Sequence, residues 1–156
     1  MRITAKVDYA VRAASELAAH AAEHGARSPM KGEAIARAQD MPVRFLESIL
    51  AELRRSGIVG SQRGSDGGYW LAHPAEEITL ADVIRAVEGP LAAVRGEAPE
   101  DVEYPGAAKD LQDIWIAVRA SVRAVVEHVT LADLASGELP EEIRRLGEDP
   151  DARIRR

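Results

Sequence analysis

The sequence predicts a mainly α-helical fold with a small β-hairpin and a long C-terminal helix. Three observations lead to this prediction. Apolar residues recur every three or four positions in several segments, Pro42 separates two of these segments, and a glycine-rich stretch at residues 61–71 lies between two short β-prone runs. We divide the chain into residues 1–88, a loop at 89–108, a helix at 109–136 and a polar tail at 137–156.

The composition is that of a globular protein. Of the 156 residues, 46% are hydrophobic and 29% are charged. We expect no membrane segment, because no apolar run approaches the roughly 18 residues that a bilayer span needs. The first residues lack the apolar core of a secretory signal, so we expect a cytoplasmic protein. Cysteine is absent, which excludes disulfides, thiol nucleophiles and thiolate-held iron–sulfur clusters.

Three helices are predicted in the first third of the chain. The first runs from Thr4 to about Ala22, and a short one follows at Met30 to Ala38. The next begins at Pro42, since proline is favoured in the first turn of a helix, and it ends at Ser56-Gly57. One face of this helix carries the apolar residues Phe45, Leu46, Ile49, Leu50 and Leu53.

A two-stranded hairpin is predicted after the third helix. Ile58 to Arg63 and Tyr69 to Leu71 are β-prone, and the glycines between them suit a turn. The order helix, helix, turn, helix, hairpin is that of a winged helix-turn-helix domain. Thr79 and Asp82 then form a helix-capping pattern, which begins a helix that ends at Glu88.

The second half of the chain contains an acidic loop and a long helix. Residues 89–108 show little periodicity, whereas the apolar positions that follow recur every three or four residues and predict a helix of about five turns. An apolar seam of this length in a small protein indicates that two copies share it, so we predict a homodimer. The seam residues are Leu111, Ile114, Val118, Val122, Val125 and Val129. A short capped turn begins at Thr130.

The charge distribution places an anionic partner at the first half of the chain. The net charge is −6, yet residues 1–72 hold ten Lys/Arg and eight Asp/Glu, whereas residues 73–156 hold ten and eighteen. In a winged helix, Gly64, Gly67 and Gly68 would let the backbone approach DNA, and Arg63 would enter a minor groove. The alternative is an ordinary tight turn with a solvated arginine.

The helix that begins at Pro42 presents candidate base contacts on its outer face. Arg44 suits guanine, Glu47 suits the amino group of cytosine, and Ser48 suits a base or a phosphate. The alternative is that Arg44 and Ser48 are solvated and that Glu47 makes a contact within its own helix.

The sequence does not predict an enzyme or a metal site. The histidines are scattered without an HExxH arrangement, and the glycine motifs of phosphate-binding loops, dinucleotide sites and nucleophile elbows are absent. Four acids of the loop, Glu97, Glu100, Asp101 and Glu103, lack the order of an EF-hand, so solvation explains them better than a hard-metal site. We therefore expect no cofactor.

Several short motifs lie in a defined order along nearly the whole chain. They are Met1 to Lys6 with Tyr9-Ala10, Phe45 to Glu47, Leu53-Arg54, Gly57 to Val59, Arg63-Gly64 with Gly67 to Tyr69, Glu77 to Ile84, Val87 to Leu91, Trp115, and Thr130 to Leu134. In these motifs and their order, the chain resembles the Rrf-two family of winged-helix transcription regulators.

The resemblance implies a homodimer that binds imperfectly palindromic double-stranded DNA, mostly as a repressor. It also implies that Arg63 contacts the minor groove. Asp66 replaces a glycine that is common at the wing tip of relatives, and it brings negative charge towards DNA. The recognition-helix residues that the resemblance implies are Val43, Arg44, Phe45, Glu47 and Ser48.

The resemblance also places a sensor in residues 89–108, where cluster-binding relatives have three cysteines and this chain has none. Asp8 occupies a position that supplies a cluster ligand in some relatives, but one carboxylate cannot replace the missing thiolates. We therefore expect a cluster-free regulator that responds to a small molecule or a protein, with an effector site between the loop and the Leu111 helix. Asp8 and Trp115 are the candidate effector residues. The alternative is a winged-helix module that binds proteins and no longer reads DNA.

Overall fold

The first helix lies at the centre of the molecule. The computed structural model describes residues 2–154, so Met1 of the first motif and the last two residues of the predicted tail lie outside the described residues. Helix α1 (Ala5–His24) contacts the second, third and later helices and the hairpin, and it buries an alanine-rich face that includes Ala10, Ala13 and Leu17. The Thr4 hydroxyl accepts the Val7 N–H at 3.2 Å, which satisfies a donor that the first turn leaves free.

The next two helices form the predicted helix-turn-helix. They are α2 (Gly32–Gln39) and α3 (Val43–Arg55). Between them Asp40 adopts a left-handed conformation with φ 51°, and the Met41 N–H donates to the Ala36 carbonyl at 2.8 Å. Pro42 is the N-cap residue of α3, so the helix begins one residue later than the sequence predicts.

The predicted hairpin is also present. Strands β1 (Val59–Gln62) and β2 (Gly68–Leu71) pair antiparallel, with Val59 opposite Leu71. Met30 and Tyr69 exchange two backbone hydrogen bonds, each of 2.8 Å. The hairpin is therefore fixed to the segment that precedes α2.

Helix α4 (Leu80–Glu88) begins with a complete capping box. The Asp82 N–H donates to the Thr79 hydroxyl at 3.2 Å, and the Thr79 N–H donates to the Asp82 carboxylate at 2.9 Å. The segment after α4 has the short helical turns Pro99–Asp101 and Gly106–Ala108. It is more ordered than a solvated loop, because Leu91, Pro99 and Val102 are buried.

Helix α5 (Leu111–Val126) is shorter than the apolar periodicity predicts. Val129 lies beyond its end and is only 3% exposed, and its carbonyl accepts the Leu80 N–H at 2.9 Å. The prediction that Val129 belongs to the long helix and its shared seam is therefore wrong, because this residue packs inside its own chain.

The chain then returns to the winged helix. Helix α6 (Leu131–Ser136) has a second capping box, made by Thr130 and Asp133, and Leu131 is fully buried in the core around α1. Residues 109–136 thus contain two helices rather than one. Helix α7 (Glu141–Glu148) lies in the segment predicted as a polar tail.

The core is formed mainly by α1, the helix-turn-helix and α4, which confirms the predicted fold class. In residues 2–154, no helix combines the length and apolar character that crossing a bilayer requires. The largest fully buried side chains include Leu17, Ile35, Leu46, Ile49, Leu50, Leu53 and Leu131.

Candidate nucleic-acid interface

Helix α3 is held by one face and exposed on the other. Leu46, Ile49, Leu50 and Leu53 have no exposed surface, so the helix cannot rotate without opening the core. The outer face of its first two turns consists of the exposed residues Val43, Arg44, Phe45, Glu47 and Ser48. The five residues proposed for the recognition helix therefore lie on one accessible surface.

Phe45 does not belong to the buried stripe in which its spacing placed it. It is 38% exposed, and its ring meets the Tyr9 ring edge-on, with the ring centroids 5.4 Å apart. Tyr9 covers only one side of the phenyl ring. The rest of the ring faces outward at the start of α3.

The polar residues of this surface differ in their partners. The Ser48 hydroxyl donates to the Phe45 carbonyl at 2.8 Å, which leaves its lone pairs free to accept. In the described part of the chain, no hydrogen bond or ion pair engages the side chain of Arg44 or Glu47. The contact of Glu47 within its own helix, the alternative drawn from sequence, is not observed there.

The hairpin presents Arg63 immediately after β1, next to Gly64. Arg63 is exposed, and within residues 2–154 its guanidinium has no hydrogen-bond or ion-pair partner. Gly64 has φ +105°, a backbone conformation that favours glycine, and there is open space where a side chain would project. Glycine is therefore favoured here by the backbone conformation and not by lack of space. The exposed Asp66 lies three residues beyond Arg63 and reduces the positive charge of the tip.

Gly67 and Gly68 are buried, and packing accounts for both. A Cβ on Gly67 would lie 2.1 Å from the Gln62 carbonyl oxygen, and one on Gly68 would lie 2.6 Å from the Met30 carbonyl oxygen. These glycines let the two strands and the Met30 segment approach one another. At Gly67 and Gly68 the close approach of backbone is therefore to other parts of this chain, whereas the sequence predicted an approach to DNA.

Two further cations lie beside the wing and were not identified from sequence. Lys31 donates from Nζ to the Gly64 carbonyl at 2.8 Å, and Arg54 donates from Nη1 to the Ser61 hydroxyl at 3.2 Å. Only proximity in the folded chain reveals them, since Lys31 is 33 residues from Gly64.

The residues predicted for an effector do not lie in one cavity. Asp8 forms an ion pair with Arg12 at 3.0 Å, and Trp115 is 37% exposed on α5. A cavity of about 500 Å³ does lie between α4, the 89–108 segment and α5, but neither residue lines it. Its lining residues are Arg85, Gly89, Pro90, Leu91, Glu100, Arg119 and Arg123.

Carboxylates neutralise the arginines of this cavity. Arg119 Nη1 lies 2.6 Å from Glu100 Oε2, and this hydrogen bond lowers the pKa of Glu100 from its ordinary 4.5. Hydrogen bonds from Arg85 and Arg123 likewise lower the pKa of Glu127. Both carboxylates are therefore charged at neutral pH.

A helix-turn-helix with an exposed second helix, followed by a hairpin with an arginine at its tip, defines the winged-helix class of DNA-binding proteins. The family model Rrf2, described as an iron-dependent transcriptional regulator, matches residues 3–137. The chain belongs to this Rrf2, or Rrf-two, family. It is a transcriptional regulator with a DNA-binding winged helix.

Curated relatives support the same assignment. The chain is 46% identical over 149 residues to Rv1287 of Mycobacterium tuberculosis, whose name places it among HTH-type transcriptional regulators, and the match covers 96% of this chain and 90% of that protein. It is 38% identical over 136 residues to the HTH-type transcriptional regulator CymR of Bacillus subtilis, covering 87% of this chain and 91% of CymR.

Solved structures agree with the fold. CymR (YrzC), described as the global cysteine regulator of B. subtilis, superposes with a TM-score of 0.72 at 34% identity, covering 88% of this chain and 98% of CymR. IscR of T. potens gives a TM-score of 0.67 at 28% identity, covering all of this chain and 93% of IscR.

The iron in the family description does not fit the donors of this chain. Iron–sulfur clusters are held mainly by cysteine thiolates, and the sequence has no cysteine. In the part of the chain that the structure describes, no group of three or more His, Asp or Glu side chains could hold a metal ion. Asp8 faces Arg12, a cation that competes with any metal for its carboxylate.

Proposed function

We propose that the protein is a homodimeric, cluster-free transcriptional repressor that binds an imperfectly palindromic operator of two related half-sites. Helix α3 enters the major groove and Arg63 enters the flanking minor groove. One observation supports this proposal most strongly: fully buried residues fix α3 on one side, and its other side presents Arg44 and Glu47 near Arg63, all three without an ion pair or side-chain hydrogen bond within residues 2–154.

The exposed side chains of α3 suit the edges of base pairs. Arg44 can donate two hydrogen bonds to guanine, and Glu47 can accept from the amino group of cytosine. The Ser48 hydroxyl, whose proton goes to the Phe45 carbonyl, can accept a hydrogen bond from the amino group of a base. Val43 and Phe45, 39% and 38% exposed, suit the methyl group of thymine.

Two copies are needed for two half-sites, and α5 supports the dimer. None of its residues is buried in the single chain, although its sequence is rich in Val, Ile and Ala. Ile114 is 55% exposed and Trp115 is 37% exposed. A second copy that packs along the Leu111, Ile114, Val118, Val122 and Val125 seam would remove this apolar surface from water.

Without cysteine ligands for a cluster, DNA binding must be controlled by another ligand. The cavity between the 89–108 segment and α5 is lined by Arg85, Arg119 and Arg123. These arginines suit an anionic ligand that takes the place of their carboxylate partners, Glu100 on Arg119 and Glu127 on the other two. We propose this cavity as the effector site.

The function is tested by selecting bound duplexes from a random pool and from genomic fragments. We expect enrichment of a sequence with two related half-sites. If six to ten phosphates are contacted, affinity should fall about 10³- to 10⁵-fold between 50 and 200 mM salt. A monomer that enriches no duplex, together with capture of a specific protein, would establish the interaction module instead.

Replacement of Arg63 tests the wing contact. Arg63→Ala should weaken operator binding about tenfold or more without changing the melting temperature, because the side chain has no partner in the described part of the fold. Arg27→Ala is the matched control, since Arg27 is exposed and lines a different cavity, beside α1 and α6. Equal affinities of the two variants would remove Arg63 from the interface.

A further inference from the structure

A cleft of about 390 Å³ lies between the start of α2, the outer face of α3 and the hairpin. We call it the wing cleft. The cleft is lined by cations from three different elements, and no acid pairs with any of them in residues 2–154. The charged residues that line the wing cleft are Lys31, Glu33, Glu47, Arg54 and Arg63.

Lys31 spans the cleft. It is the N-cap residue of α2, and its backbone is extended there, so its side chain can reach the wing. Its ammonium donates to the Gly64 carbonyl at 2.8 Å. An ammonium has three donors, so two remain for another acceptor. Because Lys31 is exposed, that acceptor can come from outside the protein.

Arg54 lies opposite, in the last turn of α3. Its Nη1 donates to the Ser61 hydroxyl at 3.2 Å, which fixes the guanidinium beside β1. A guanidinium carries five donors, and this bond uses one of them. Glu33 and Glu47 line the same cleft, and in the described part of the chain neither carboxylate pairs with Arg54, so the three cations exceed the two acids.

The geometry of duplex DNA determines what lies between α3 and the wing. A major groove and the minor groove next to it are separated by one sugar–phosphate strand. If α3 occupies the first and Arg63 the second, that strand must pass through the space between them. This step rests on the proposed function, because it assumes both groove contacts.

We infer that the wing cleft binds a backbone phosphodiester, held by Lys31 from the α2 side and by Arg54 from the α3 side. The Lys31 bond to Gly64 ties the same ammonium to the residue that follows Arg63, so one side chain both contacts the phosphate and orients the wing. Phosphate contacts set register and orientation but carry no direct sequence information. The two residues therefore add affinity that is equal on every sequence.

The test compares Lys31→Ala and Arg54→Ala with Lys109→Ala. Lys109 is an exposed lysine just before α5, outside the winged helix. Binding to the selected operator and to a scrambled duplex is measured by fluorescence anisotropy between 50 and 200 mM salt. Each interface variant should reduce the slope of log affinity against log salt by about 0.9, the value for one phosphate, whereas Lys109→Ala should not change it.

The slope change corresponds to about 3.5-fold in affinity over this fourfold salt range, and it should be the same on both duplexes. Lys31→Arg and Arg54→Lys keep the charge and should keep the wild-type slope. An unchanged slope for both alanine variants overturns the inference, as does a loss confined to the operator, which would mean that Lys31 only orients the wing. Failure of the wild-type protein to select any duplex is a different result, which refutes the proposed function itself.

Discussion

Ile114→Ala tests the dimer through the free energy of association. Ile114 is 55% exposed in the single chain, so a second copy can bury about half of its side chain. Complete burial of an isoleucine is worth about 1.5–3 kcal/mol, so half of it is worth about 0.8–1.6 kcal/mol. A twofold dimer contains the residue twice, which gives about 1.6–3.2 kcal/mol, or a dimer weaker by about 15- to 220-fold.

Sedimentation velocity at several protein concentrations measures the dissociation constant directly. Ile154→Ala is the control, since Ile154 is 54% exposed but lies far along the chain from α5. Alanine is a strong helix former, so the monomer should keep its melting temperature when extrapolated to low concentration. Equal dissociation constants for the two variants, or a wild-type protein that stays monomeric, would refute the seam on α5.

Three other predictions concern stability and pH. Leu50→Ala should destabilise the fold by about 2–5 kcal/mol in urea, because Leu50 has no exposed surface. Thr79→Ala should cost about 1 kcal/mol in the same assay, because it removes a capping box. The lowered pKa of Glu100 and of Glu127 means that their stabilising effect is present above pH 4.5, the ordinary value, and is lost as pH falls through the folded-state pKa values. Melting temperature should therefore fall below pH 4.5, and less steeply in Arg119→Gln.

Other outcomes would contradict these predictions. A Leu50→Ala variant as stable as wild type would place Leu50 outside the core. Loss of less than a few tenths of a kcal/mol in Thr79→Ala would mean that the capping box does not stabilise α4. An Arg119→Gln variant with the wild-type acid profile would show that the Arg119–Glu100 pair does not form in solution.

The helices could be predicted well where the signal is local. Thr79 and Asp82 lie within four residues and form the predicted capping bonds. The turn predicted to begin at Thr130 is also capped, by a second box with Asp133. The apolar face of α3 follows from its spacing, because side chains three or four positions apart project from the same side of a helix.

Predictions failed where contacts with distant parts of the chain determine the position of a residue. Val129 continues the spacing of α5, yet its carbonyl accepts a hydrogen bond from Leu80 and its side chain enters the core. Phe45 fits the apolar stripe of α3, yet it is 38% exposed, although its ring contacts the ring of Tyr9 on α1. The periodicity of apolar residues indicates which side of a helix a residue occupies, but it does not indicate which segment of the protein packs against that side.

By itself the sequence determined the family, the order of helices and hairpin, the polar outer face of α3 and the absence of cysteine ligands for a cluster. These features depend on residue types and on spacings of a few residues, so they do not require knowledge of how distant segments pack. Only the tertiary structure decided that Val129 is internal, that Gly67 and Gly68 serve packing, and that Lys31 reaches Gly64 across 33 residues. Such contacts arise from the way whole elements pack, and no short spacing along the chain encodes them.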